Sequence, residues 1–591
     1  MVFPKQKMRV CYQFKRYVIS AEIILKKEQV KMKKKIKSRY GLKWIYRQTK
    51  GNRRYLIVLA VAGIVMAAVN IGMTTILKGF VDIAVGDSRI SLSLNLFAAV
   101  IFLVLEGVLS LVIAVSFRVF GARIARKIRL ELVSRLYHSS LLEYQSHHVG
   151  EYMTNLTEDV EKVSGCFSAL LRSTVGNALT AVLAIVYLFF LNWKLAMVLL
   201  VCIPLLILCI GIFSPVVQKT SRTDKRNEEN IRVYFQDILE KLALFKISGM
   251  GEKLESKVSF LLGAKVNSAR RLGAAEGGSS FLNNAMGTAM FLIAMGGGAY
   301  FVMRGELVVG AMIAVVQLSN YIIWPFTAIG DIISNVNQAI VSAERLDRIY
   351  SLSEEQERKA GAPQREVFRL RLKDVSFGYG DTRVLEGISA EFRKKQVVGI
   401  VGESGGGKST LLKILSGLYP PEKGEVEVIF EDGSCWDDTR PYVGLVPSAG
   451  LVFCDTIEAN ICMALEPDRE RLKRCANMAN IGRYIETLER QYDTMLGDGS
   501  KSLSSGQEQR IGIARALYQG AEILLFDEPT ANLDLESICV FLETLERIAS
   551  ERICIIVTHD PRVVERCDQV YEVKDCEMRA SDGHGLIEVK G

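Results

Sequence analysis

The run Gly402-Glu403-Ser404-Gly405-Gly406-Gly407-Lys408-Ser409-Thr410 sets a lysine and two hydroxyls at the end of a glycine-rich turn. It follows the β-branched run Val397–Val401 and opens the helical run Leu411–Leu415, the setting that a phosphate-binding loop requires. Glycines let successive backbone N–H groups wrap an anion, and the helix N-terminus adds its dipole. In such a loop Lys408 reaches the β- and γ-phosphates and Ser409 ligates Mg2+, while Gly402, Ser404, Gly405, Gly407 and Thr410 complete the cradle. A second run, Ile523-Leu524-Leu525-Phe526-Asp527-Glu528-Pro529, is an apolar strand ending in two carboxylates. Asp527 suits a Mg2+ site held through water, and Glu528 suits a base that polarises the attacking water. A third run, Leu503-Ser504-Ser505-Gly506-Gln507-Glu508-Gln509-Arg510, lies between the two.

Such residues need a scaffold that gathers strand ends. From Val367 on, β-branched runs at Val397–Val401, Tyr442–Val446, Ile523–Phe526 and Ile553–Val557 alternate with helical patterns. That alternation predicts an α/β domain with a largely parallel sheet over residues 366–591. The charged segment 351–365, with Gly361 and Pro363, reads as a linker. Ahead of it stand six apolar stretches, near Tyr55–Leu77, Leu92–Phe117, Leu170–Leu191, Leu195–Phe213, Phe281–Val302 and Val308–Ile333. Each reaches the ~20 residues that a helix needs to cross hydrocarbon. The expected architecture is a multidomain membrane protein: a basic tail (1–40), an all-α six-helix transmembrane domain (41–350), the linker, and an α/β P-loop ATPase domain. The long excursions 118–169 and 214–278 read as helices extending past the bilayer, with breaks expected at Ser146–Gly150 and around Val233–Leu244. Pro325 is expected to kink the sixth helix.

Charge orients this arrangement. Residues 1–54 hold 18 Lys and Arg against Glu22 and Glu28, about +16, whereas the whole chain is +9, so the remainder is negative. Arg118, Arg123, Arg126, Lys127 and Arg129 follow the second stretch, and Lys219, Arg222, Lys225 and Arg226 the fourth. The opposite links, Asp82–Ser91, Asn192–Lys194 and Met303–Glu306, are short and poor in cations. This bias predicts a multi-pass protein of the cytoplasmic membrane with both termini and the ATPase domain in the cytoplasm. Beside a membrane segment the basic tail needs no nucleic acid to explain it, and none is expected as a partner. The 12 cysteines are scattered without CxxC or metal-ligand spacing, as buried, inert thiols would be.

The three motif runs, in this order behind six apolar stretches, resemble the ABC transporter family in its exporter arrangement, a half-transporter that works as a dimer. The resemblance covers nearly the whole chain from about Leu42. It implies that Ser504, Ser505, Gly506 and Gln507 cap the ATP held by a second half-transporter, either another copy or a different chain. It implies that Tyr379 stacks on adenine and that Asp534, in Ala531-Asn532-Leu533-Asp534, is the D-loop carboxylate. It also implies that His559 contacts the γ-phosphate. Gly497-Asp498-Gly499-Ser500 resembles the segment ahead of the signature, with Asp for Glu and Ser for Gly. Two further departures stand out. The family has a glycine at Ser505, and at Ser448 it has a glutamine that reaches Mg2+, so a serine there reaches the metal only through water.

The function implied is ATP-driven export of a drug, lipid or peptide by alternating access, with ATP and Mg2+ as cofactors and the lipid bilayer as surroundings. The alternative is an ATP-gated regulatory or channel-like subunit that does not pump; a pure sensor has no need of Glu528 and His559. Candidate substrate-path residues are Glu106, Asn283, Asn284, Gln317, Asn320 and Trp324. Glu106 lies near the middle of the second stretch, where a charge costs ~2.5–3.5 kcal/mol on insertion scales. It must therefore face a cavity, pair, or be neutral. Glu106→Gln is predicted to leave basal ATP hydrolysis largely intact. If Glu106 meets substrate, transport of cationic compounds falls roughly tenfold, about 1.4 kcal/mol, while that of neutral ones holds. Transport unchanged for every compound and at every pH makes the residue structural.

Overall fold

The computed structural model describes Trp44, Arg47, Gly51 and residues 53–86, 91–171, 176–355, 361–380, 382–448, 451–464, 466–497, 503–531 and 533–581. The basic tail 1–40, Asp498–Ser500, Asn532 and the side chain of Trp324 lie outside the described residues. The chain divides into two units. One runs to Tyr137 and resumes over His147–Leu352; the other joins His138–Ser146 to the chain from Ser353 on.

In the first unit the apolar stretches form α1 (Arg53–Val85) and α2 (Leu92–Tyr137). The short α3 (Leu141–Gln145) belongs to the other unit. Next come α4 (Val149–Thr154), a π turn (Asn155–Asp159), α5 (Val160–Leu171), α6 (Leu179–Leu191), α7 (Trp193–Glu240), α8 (Leu242–Ile247), α9 (Gly251–Met303) and α10 (Val309–Tyr350). Among the described residues α1, α2 and α9 each hold a window long and apolar enough to cross a membrane; shorter apolar segments occupy 176–191, 193–204 and 309–323. α2, α7 and α9 have 46, 48 and 53 residues. At ~1.5 Å per residue each is well over twice the ~30 Å of a hydrocarbon core, so the charged excursions continue the spanning helices.

The second break falls within the expected Val233–Leu244 window, toward its far end. Helix α7 runs unbroken through Val233 to Glu240, and the chain turns at Lys241 and again around Gly249, whose φ of +62° suits a residue without Cβ. Helix α10 continues past Pro325. The π turn buries Asp159, whose Oδ1 accepts from Ser342 Oγ on α10 at 2.7 Å. The opposite ends of α1 and α10 are joined where Gly310 N donates to Asp82 Oδ1 at 3.0 Å.

The second unit is built on two sheets. The strands are β1 (Val367–Tyr379), β2 (Thr382–Arg393), β3 (Val397–Gly402), β4 (Lys423–Phe430), β5 (Cys435–Trp436), β6 (Val443–Val446), β7 (Ile523–Asp527), β8 (Ile553–Val557), β9 (Gln569–Lys574) and β10 (Glu577–Ser581). One sheet has the order β10-β9-β3-β8-β7-β6 and is parallel except at β10. The other, β2-β1-β4-β5, is antiparallel, an element the reading of a largely parallel sheet missed. β3, β7 and β8 are buried along nearly their whole length, which is why they read as continuous apolar runs rather than alternating ones. The helices are α11 (Lys408–Leu415), α12 (Ile457–Cys462), α13 (Arg469–Met478), α14 (Gly482–Glu486), α15 (Ser505–Tyr518), α16 (Leu535–Ala549) and α17 (Pro561–Val564).

The expected linker is tied down at both ends. Ser140 N donates to Ser353 O at 3.0 Å and Glu355 N to His138 O at 2.8 Å, while Tyr442 Oη donates to Pro363 O at 2.8 Å.

The segment after β6 is held by Asn460, which is fully buried on α12. Its Oδ1 accepts from Phe453 N at 2.9 Å, and its Nδ2 donates to Phe453 O at 2.9 Å and Thr456 O at 3.0 Å. Arg515 on α15 donates to Asn460 O at 2.7 Å and Leu451 O at 2.5 Å, so one knot fixes this segment to the signature helix. Asn460→Ala strands those backbone groups. It is predicted to lower the thermal midpoint of the full chain's soluble unit by on the order of 5 °C, read by differential scanning fluorimetry.

Candidate functional site

Three strand ends define the site. β3 pairs in parallel with β8, and β8 with β7, in registers that align Ile400 with Val557 and Asp527 with Val557. The loops leaving β3, β7 and β8 therefore emerge on one edge, where α/β sheets bind ligands.

At the last residue of β3 and in the loop beyond it the chain takes positive φ, at Gly402 (+148°), Gly405 (+83°) and Gly407 (+96°). A Cβ on Gly402 would stand 2.2 Å from Val573 O, and one on Gly407 2.8 Å from Val384 Cγ1, so glycine is required at both for shape as well as φ. Lys408 is buried, and its Nζ donates to Gly402 O at 2.7 Å and Glu403 O at 2.8 Å. Burial lowers its pKa, and the carboxylates of Glu528 and Asp527 pull the other way. Ser409 Oγ donates to Asp527 Oδ1 at 3.2 Å. Burial raises the pKa of Asp527, opposed by that bond. Two hard oxygens side by side beside an anion cradle fit the donor set that Mg2+ takes. Tyr379 ends β1 with its ring 41% exposed, and its hydroxyl lies 3.2 Å from Thr410 Oγ1. Ser404 is exposed at the mouth of the loop.

Glu528 has φ +46°, uncommon for a residue with a side chain, and its N–H donates to Val557 O at 2.9 Å. This left-handed step aims the carboxylate off the strand end. His559 Nε2, from the loop after β8, lies 3.7 Å from Glu528 Oε1. Lys408, Ser409, Asp527, Glu528 and His559 thus converge, although no short motif predicts their distances.

The signature residues begin α15. Ser504 Oγ accepts from Gln507 N at 3.3 Å, and Gln507 Oε1 accepts from Ser504 N at 3.0 Å, a reciprocal cap. A Cβ on Gly506 would stand 2.9 Å from Ser537 Oγ on α16. Asp534 caps α16, accepting from Ser537 N at 2.9 Å, and hydrogen bonding from the Ser537 side chain, then from its backbone, lowers the Asp534 pKa. Ser448 is exposed just past β6, and the pairing of Val446 with Phe526 brings it out at the same sheet edge as Glu528. Its hydroxyl makes no hydrogen bond among the described residues.

Two contributors escaped sequence reasoning. Gln509 Nε2, buried, donates to Pro529 O at 2.8 Å and ties the signature helix to the loop after β7. Tyr419 Oη donates to Gln145 Oε1 at 2.7 Å across 274 residues of chain, a pairing with no local signal.

The candidate substrate-path residues belong to the first unit. Glu106, Asn283 and Asn320 are half-buried and Asn284 is exposed. Gln317 Nε2 donates to Tyr321 Oη at 3.3 Å. No hydrogen bond or ion pair joins these residues to one another among the described residues.

Comparison with known proteins agrees with both units. The ABC transporter transmembrane region family matches residues 55–326, and the ABC transporter family matches residues 385–531. The chain is 23% identical over 561 residues to a multidrug resistance ABC transporter ATP-binding and permease protein of Lactococcus lactis, covering 92% of each. It is 26% identical over 490 residues to an ATP-dependent lipid A-core flippase of Pseudomonas aeruginosa, covering 77% of this chain and 78% of that one. In fold it is similar to a bacterial Atm1-family ABC exporter with ATP bound, with a TM-score of 0.72 at 23% identity over 89% of this chain and 94% of that one.

Lys408→Ala is predicted to weaken ATP binding by roughly 10- to 100-fold, the worth of charge-assisted hydrogen bonds to phosphate. Equilibrium binding of labelled ATP measures it, and unchanged affinity removes Lys408 from the phosphate site.

Proposed function

From the premise that this chain belongs to the ABC transporters, as an exporter-type half-transporter coupling ATP hydrolysis to transport across a membrane, we propose that it exports a drug, lipid or peptide by alternating access in a dimer of half-transporters. The observation that carries this reading is the convergence of Lys408, Ser409, Asp527, Glu528 and His559 on one sheet edge.

Lys408 neutralises the β- and γ-phosphates, and the backbone of Gly402–Gly407 donates to their oxygens. Ser404 and Thr410 flank that cradle, and Tyr379 offers its exposed ring to adenine. Ser409 and Asp527 would hold Mg2+, and Ser448, too short for direct contact, would act on it through water. When bound, Mg2+ supplies charge neutralisation between the phosphates. Glu528 takes the proton of the water whose oxygen attacks the γ-phosphorus as the bond to the β-bridging oxygen breaks. His559 holds the γ-phosphate and steadies the Glu528 carboxylate.

Ser504, Ser505, Gly506 and Gln507 belong to the site completed on the partner, and Asp534 to the seam. Leu239, Leu244 and Ile247 around the α7–α9 turn are exposed outside the apolar spans, which leaves them available to a partner. Both termini and the ATPase unit are cytoplasmic, and the helices lie in the cytoplasmic membrane. Glu106, Asn283, Asn284, Gln317, Asn320 and Trp324 line the substrate path.

Glu528→Gln should bind ATP normally yet cut turnover by roughly 100-fold or more, because an amide cannot accept the proton. Purified alone in lipid with ATP, that variant should run as a closed dimer. Turnover near the parent rate removes Glu528 from the base role. A monomer that dimerises only with a co-expressed second half-transporter makes the partner a different chain.

A further inference from the structure

Tyr419 lies in the turn after α11, 1% exposed, where three groups meet. Its ring stacks on Phe377 (centroids 5.4 Å apart, planes at 18°) and meets the Tyr379 ring edge-on (6.2 Å, 82°). Its phenol donates to Gln145 Oε1 at 2.7 Å, and Lys413 Nζ, 5.1 Å over the Tyr419 ring, reaches the same oxygen at 3.5 Å. Burial pushes the phenol up to about 12, so it remains a donor at neutral pH. Gln145 ends α3 in His138–Ser146, which the chain connects to α2 on one side and α4 on the other. That segment is seated in the second unit: Leu141 packs on its core, and Glu143 Oε2 accepts from Ser353 N at 2.8 Å.

Gln145 itself is exposed. No burial argument fixes its side chain, and one neutral hydrogen bond is worth only ~0.5–1.5 kcal/mol to stability. What the bond does fix is direction, because hydrogen bonds weaken steeply with angle.

We propose that Tyr419 is a positioning residue that carries the state of the Tyr379 ring to Gln145, so that the loop between α2 and α4 responds to the nucleobase and not to the phosphates alone. This rests on the reading of Tyr379 as the ring that stacks on adenine. A base on the open face of Tyr379 restricts that ring's tilt. Tyr419, edge-on to it and stacked on Phe377 in a close-packed core, must move with it. Its O–H then swings relative to Gln145. By linkage, a displaced loop changes affinity for the base by the same factor.

Hydrogen–deuterium exchange of the 138–146 segment tests this in the full chain in lipid nanodiscs, on a Glu528→Gln background that keeps ATP intact. ATP is compared with inorganic tripolyphosphate, which fills the phosphate loop and lacks a base. ATP should slow exchange there about fivefold or more, the lower end of ordinary coupling, and saturating tripolyphosphate should not. Gln145→Ala and Tyr419→Phe should abolish the ATP-specific protection, and Gln145→Glu, which keeps the acceptor oxygen, should retain it. Full protection in Gln145→Ala, or equal protection by tripolyphosphate, overturns the proposal. Tyr379→Ala separates the premise: unchanged ATP affinity there means that Tyr379 does not stack on the base. Weakened affinity there, together with intact protection in Gln145→Ala, leaves the premise standing and sinks only the relay.

Discussion

The parallel pairing of β3 with β8 and of β8 with β7 is the constraint on which the rest depends. Each strand is buried on both faces, so its register cannot slip by a residue without unseating close-packed side chains from the cores on either side. That rigidity delivers Gly402, Asp527 and the chain beyond Val557 to a common edge. The hydrogen bond between Ser409 and Asp527, and the approach of His559 to Glu528, are consequences of the register rather than independent arrangements.

The same edge concentrates cost. Among the described residues Lys408 is buried with only backbone carbonyls to accept from it, Asp527 is desolvated, and Glu528 occupies a backbone region that side chains avoid. A cation and two carboxylates held in this way are placed for a ligand rather than for the stability of the empty fold. Elsewhere in the unit, charges are paired across β1 and its neighbours in the ordinary manner, as with Arg371 and Glu427 at 2.6 Å.

Legibility in the sequence followed how local each signal was. β8 falls on Ile553–Val557 because five consecutive buried apolar residues leave no other reading, and α11 starts at Lys408 because the glycines before it cannot be helical. The antiparallel sheet β2-β1-β4-β5 was not legible. Its β1–β4 pairs, such as Leu370 with Val428, are made across distant chain, and charged residues interrupt the apolar pattern along these strands and along the β1–β2 hairpin. The turn at Lys241 fell inside the expected Val233–Leu244 break, but its place within that window was not marked, because Val233–Glu240 carries no glycine or proline to show where the helix stops. The attachment of His138–Ser146 to the ATPase unit was signalled in the sequence only by the break expected at Ser146–Gly150, since its seat is a surface assembled from residues beyond Ser353.

That attachment sets an order of events during synthesis. Gln145 leaves the ribosome 274 residues ahead of Tyr419, its hydrogen-bond donor. At ~5–20 residues per second the loop waits roughly tens of seconds for its seat to exist. The membrane helices on either side of it are made first, so the ATPase unit is completed by closing onto a segment already anchored in a membrane. Assembly therefore runs from the bilayer outward, and the six-stranded sheet of the ATPase unit cannot be completed before β9 and β10 have been made.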